Sequence, residues 1–172
     1  MNTKRMAANA ILIAVGAILH QLTPGIGVQA DLSLAMLFII VVLNKDYKTT
    51  LICGIIVGIF AALTTKTPGG QLPNIIDKFI TCNVVYLILA PIRNRVSKTK
   101  QISLLLPIGT LISGITFLTA LMTVVGLPVG TSFEALIISV VVPTMVINTI
   151  IGVVIFKIVE KIAMNSGAYA IK

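Results

Sequence analysis

Apolar residues run along this chain in long blocks, and polar residues are confined to short stretches between them. Six apolar segments can be marked, at roughly 6–22, 31–44, 49–64, 73–92, 102–126 and 134–157. Each comes near the ~20 residues that a helix needs to cross the hydrocarbon core of a bilayer. The second and third are short, which fits less tilt or partial placement in the interface. The pattern predicts an all-α integral membrane protein with six transmembrane helices, residues 1–172 forming a single membrane domain. The first segment ends in HQLTPG rather than at a small-residue cleavage site, so it reads as a span and not as a signal peptide.

Composition agrees with this reading. The chain is 57% hydrophobic and only 10% charged, and its mean hydropathy of +1.08 excludes a soluble domain. The net charge of +8 is spread along the loops, and no nucleic-acid partner is expected. Lys4 and Arg5 precede the first segment, and Lys45 and Lys48 separate the second from the third. Arg93, Arg95, Lys98 and Lys100 separate the fourth from the fifth, and Lys157, Lys161 and Lys172 come at the end of the sixth or after it. The other side carries only Lys66 in a loop, with Lys78 near it. The positive-inside rule therefore puts both termini in the cytoplasm.

The outer loops, 20–31, 64–74 and 126–134, combine Gly and Pro with polar groups, as binding loops on a rigid scaffold do. Beyond the second loop, Pro73 is expected to start a helix that carries Asp77 and Lys78 about one turn in. Charges inside a membrane helix are costly unless they face protein or water. They either reach a small-molecule pocket or snorkel to the interface, where Asp77 also gains from the helix N-terminus. Asn74, Lys78, Thr81 and Val85 share a stripe, and Asp77 lies on most of it. Asp77 and Lys78 point about 100° apart and are not expected to face one another. Each then seeks a separate partner, such as the two ends of a zwitterion: an ammonium for Asp77, and a carboxylate for Lys78, Asn74 or the amides of Gly69 and Gly70. Gly69, Gly70, Gln71, Asn74, Asp77, Lys78, Thr81 and Phe133 are the candidate substrate-binding residues. Phe79, Phe117 and Tyr86 are further aromatic candidates for the pocket wall.

Other features are read more plainly. Ala7, Ala10, Ala14 and Ala17 form a stripe of small side chains on the first helix, which either meets a partner helix or packs within this chain. Pro107 and Pro143 are expected to interrupt the fifth and sixth helices. Asn148 serves as polar glue between helices or reaches a cavity floor. Cys53 and Cys82 read as buried small hydrophobes, and His20 as an interfacial imidazole. The sequence has no phosphate-binding loop, no GxSxG or HExxH motif and no metal-ligand cluster, so neither an enzyme nor a cofactor or metal site is expected. Asp31 and Glu134 stand at helix ends, so Asp77 and Lys78 form no relay for ion coupling.

MNTKRMAANAILIAVGAILHQLTPG and LSLAMLFIIVVLNKDYKTTLICGIIVGIFAALTTKTPGGQLPNIIDK, with the spacing between them, resemble the tryptophan transport protein family. The likeness is densest over residues 1–95, and TKTPGGQLPNIIDK is its most specific part. The resemblance implies an S-component-like bundle: the substrate-binding subunit of an energy-coupling factor (ECF) importer, an ABC transporter type, in the bacterial plasma membrane. It implies L-tryptophan as substrate, and as partners a transmembrane coupling protein with two ABC ATPases. In S components an AxxxA motif on the first helix meets the coupling protein, and here that motif is Ala10 to Ala14. An S component for a vitamin or another amino acid, a self-sufficient secondary transporter and a membrane enzyme are the competing readings.

Overall fold

The structure, a computed structural model, describes residues 3–23, 30–166 and 169. Half of the first outer loop, residues 24–29, and Lys172 lie outside the described residues. The described elements are α1 (Thr3–Leu22), α2 (Leu32–Leu43), α3 (Tyr47–Leu63), α4 (Gln71–Leu89), α5 (Lys98–Val124), α6 (Phe133–Leu136) and α7 (Val142–Ser166). A π-helical turn, Ile137–Val141, joins α6 to α7, making one helical body of the two. No strand occurs among the described residues.

The shortest long element is the centre of the molecule. All 12 residues of α2 are buried, as expected of a helix that is apolar all round. It touches α1, α3, α4, α5 and α7, which enclose it. At ~1.5 Å per residue, α2 spans only about 18 Å, well short of the ~30 Å hydrocarbon core. Its ends are therefore closed by protein groups. Asp31 caps the N-terminus, accepting from the Leu34 amide at 3.0 Å. At the other end Arg93 donates to the carbonyls of Val41 (3.0 Å) and Asn44 (2.8 Å), satisfying acceptors that a helix terminus leaves open. Asp46 caps α3 in the same way through Thr49, whose hydroxyl bond holds the Asp46 carboxyl below the usual carboxylate range.

Length and composition make α1, α4, α5 and the body Phe133–Ala163 long and apolar enough to cross a membrane, whereas α2 and α3 are shorter. The Tyr169 hydroxyl donates to Asn9 Oδ1, which puts both ends of the described chain at one end of the bundle.

Glycines set the closest helix crossings. Gly54 and Gly58 form a GxxxG pair on α3 against α4. A Cβ at Gly54 would meet Cys82 Sγ at 2.4 Å, and one at Gly58 would meet Lys78 Cβ at 3.3 Å. Cys53 and Cys82 are free and buried. Pro107 lies inside α5, which continues through it, as a helix bundle allows when neighbouring helices re-satisfy the freed backbone groups. Pro143 is the second residue after the π-helical turn. It supplies no N–H and crowds the preceding turn, which accounts for the wider winding there.

Gly109 supplies a test of this packing. A Cβ there would fall 2.4 Å from the ring of Phe38, one of the largest fully buried side chains. Gly109→Ala is expected to destabilise the protein by about 1–3 kcal/mol, and adding Phe38→Leu should recover part of the loss. Thermal unfolding in detergent checks this; an undiminished midpoint for the single variant would contradict the packing described.

Candidate functional site

A cavity of about 140 Å³ opens at the end of the bundle away from the termini. It is the same size class as the ~150 Å³ cavity that accepts a benzene ring in an engineered protein core. His20 from α1, Asp31 at the head of α2, Thr65 and Thr67 from the α3–α4 loop, and Asn74, Asp77 and Lys78 from α4 line it. Thr110, Ser113, Gly114, Phe117 and Leu118 come from α5, Val140 and Val141 from the π-helical turn, and Thr144 from α7.

The buried face of α4 carries Asn74, Asp77, Lys78, Thr81, Cys82 and Val85, so the polar stripe read from the sequence is the inward face of the helix. Asp77 and Lys78 are each only 1% exposed, and their side chains meet at 2.6 Å. This corrects the expectation that they do not face one another. Both fall on the broad inward arc, and the four-carbon lysine stem brings the ammonium back onto the adjacent carboxylate. Asp31 stands at a helix end, as the sequence suggests, and joins the cluster from there. Its Oδ2 lies 2.6 Å from Lys78 Nζ, so one ammonium bridges two carboxylates.

Hydroxyl groups complete the cluster. Thr81 donates to Asp77 Oδ1 at 2.9 Å and Ser113 to Asp77 Oδ2 at 2.8 Å. Ser33 donates to Asp31 Oδ1 at 2.6 Å. His20, read as interfacial, is buried, with Nδ1 2.7 Å from Thr64 Oγ1. That contact ties the end of α1 to the end of α3 beside the cavity.

The remaining candidates divide. Asn74 lines the cavity while its amide donates to the Gly70 carbonyl at 2.8 Å. Thr81 is fully buried behind Asp77. Gly70 gives its N–H to the Thr67 carbonyl at 2.9 Å, so that amide already has an acceptor and is not the open anion site expected of it. Gly69 has φ +72° and packs on Val125, where a Cβ would be 2.7 Å away. Its task is to make the turn. Gln71 is exposed and Phe133 half-buried, and neither lines the cavity.

Of the other aromatic candidates only Phe117 lines the cavity. Phe79 is exposed, and Tyr86 stands with Tyr47 and Arg93 near the α2–α3 loop. Asn148 is fully buried, with its amide 3.5 Å from Thr110 Oγ1, as a tie between α7 and α5. On α1, Ala7, Ala10 and Ala14 are exposed on the outside of the bundle.

The family model described as "Tryptophan transporter TrpP" matches residues 2–164. The chain belongs to the tryptophan transporter TrpP family. A relative from Clostridium perfringens named "Probable tryptophan transport protein" is 47% identical over 171 residues, covering 93% of each chain. One of the same name from Clostridium acetobutylicum is 45% identical over 94% of each chain. Another from Bacillus subtilis is 39% identical over 96% of each. No solved structure matches the chain. Membership of the TrpP family fits a chain with several apolar, membrane-length helices.

The ionic cluster makes a definite demand on stability. Lys78→Met would leave two carboxylates buried without their cation, a change that costs about 3–5 kcal/mol. Adding Asp31→Asn and Asp77→Asn should restore much of that, since the charges are then removed together. Thermal unfolding of the single and triple variants checks this, and equal midpoints for wild type and Lys78→Met would contradict the bridging role.

Proposed function

We propose that this chain captures tryptophan and serves as the substrate-binding S component of an ECF-type ABC importer. The cavity carries this reading, because it combines a buried ionic cluster with a ring-sized apolar wall at Phe117, Leu118, Val140 and Val141. An amino acid with an aromatic side chain needs both. Buried ion pairs seldom stabilise a fold better than apolar residues of similar volume would. A cluster retained beside a cavity is therefore better explained by recognition than by stability. The names of the relatives supply tryptophan as the amino acid.

The chain acts, in this reading, as a single six-span domain of the bacterial plasma membrane. Its termini are cytoplasmic and its cavity opens outward, as the placement of Lys and Arg favours. Transport energy comes from partners: a transmembrane coupling protein and two ABC ATPases. The exposed positions of Ala10 and Ala14 support a contact with the coupling protein, since small side chains let another helix approach closely.

Two measurements test the proposal. The purified chain alone should bind L-tryptophan with micromolar affinity or tighter, by isothermal titration calorimetry. Ala10→Trp and Ala14→Trp should abolish uptake in cells that hold the ECF module while leaving that binding intact. Uptake by the chain alone in liposomes under an ion gradient would instead establish a self-sufficient secondary transporter.

A further inference from the structure

We infer that Asp31, not Asp77, receives the ammonium of the ligand, and that the site selects its ligand by the amine ahead of the carboxylate. This rests on the tryptophan reading above and adds the orientation of the bound molecule. The two carboxylates differ in access. Asp77 is 1% exposed, and its oxygens accept from Lys78, Ser113 and Thr81. A carboxylate offers about four acceptor positions, and three are filled from within the protein on each aspartate, so the two are separated by access and not by acceptor count. Asp77 thereby positions Lys78 from behind.

Asp31 lines the same cavity with its side chain 18% exposed. Ser33 and the Leu34 amide hold Oδ1, while Oδ2 takes Lys78 and has capacity for one more donor. The N-cap bond also fixes the carboxylate at the head of a fully buried helix, so the acceptor is preorganised.

Charge gives the second argument. Two aspartates and one lysine leave the cluster with a formal charge of minus one. Lys78 Nζ is already 2.6 Å from each carboxylate. A ligand carboxylate brought to Lys78 would sit against both aspartates, and like charges at such range in a low-dielectric site repel strongly. The ammonium therefore enters at the cluster, and the carboxylate is left at the loop hydroxyls of Thr65 and Thr67. The class of ligand that fits is a primary aromatic amine, with the carboxylate secondary.

Isothermal titration calorimetry on the purified full-length chain tests this with L-tryptophan, tryptamine and indole-3-propionate. Tryptamine should bind within about 10-fold of tryptophan, and indole-3-propionate roughly 100-fold more weakly or not at all, the scale of one lost charge-assisted hydrogen bond. Asp31→Asn, with folding verified by its thermal midpoint, should weaken tryptophan and tryptamine alike. The wild-type panel tests the preference for the amine without any variant, and Asp31→Asn, or Asp31→Glu where the first does not fold, tests which aspartate receives it: unchanged tryptophan affinity in a folded variant overturns the choice of Asp31. Indole-3-propionate binding as well as tryptophan, or tryptamine losing more than indole-3-propionate, overturns the assignment while the tryptophan reading stands. Failure of the wild-type chain to bind tryptophan overturns that reading and this one together.

Discussion

An ammonium held between two carboxylates inside an apolar bundle is the constraint on which this structure turns. Taking one such ion out of water costs several kcal/mol even after relaxation, and Coulomb attraction repays this only with close geometry and satisfied hydrogen bonds. Lys78 meets both conditions, at 2.6 Å from each of Asp31 and Asp77. Three elements must converge for this to happen. Residues at the head of α2 supply Asp31 and Ser33, α4 supplies Asp77, Lys78 and Thr81, and α5 supplies Ser113. The glycines of α3 let α4 approach closely at this level, with Gly58 against Lys78 Cβ.

The same constraint explains why a helix too short for a bilayer lies at the centre. A span of 12 apolar residues exposed to lipid would leave its polar ends inside the hydrocarbon region. Enclosed by five other helices, α2 needs only local partners, and Asp31 and Arg93 provide them. Asp31 thus has two tasks: it caps the central helix and pairs with Lys78. The cavity forms where the short helix stops and the longer helices around it continue, and the π-helical turn before Pro143 brings Val140 and Val141 to its wall.

Much of this was legible in the sequence, because periodicity records which face of a helix turns inward. The stripe through Asn74, Asp77, Lys78 and Thr81 marks the buried face of α4, and apolar blocks mark the helices to within about four residues, except that the last helix runs on to Ser166, past the end of its apolar block at 157. Contacts between distant segments were not legible. Spacing on one helix gives directions of Cβ atoms, not the reach of a flexible lysine, so the Asp77–Lys78 bond was missed. Asp31 was read as an ordinary helix end, although one clue was present: an acid capping a helix with no polar face is carried inward with it. Ser113, Thr110, Thr144 and Phe117 lie among apolar runs of α5 and α7, and only the packing of those helices against α4 shows which of them face the cavity. Glycines before a helix start suggest anion donors at Gly69 and Gly70; the local turn occupies one amide and needs the positive φ of the other residue.

The most direct measurement is an experimental structure of the purified chain with L-tryptophan bound. The indole is expected against Phe117 and Val141, with the ammonium about 3 Å from Asp31 and Lys78 still bridging the two aspartates. A ligand seated elsewhere on the bundle, or Asp31 and Lys78 turned apart into solvent with no enclosed space between α4 and α5, would contradict it.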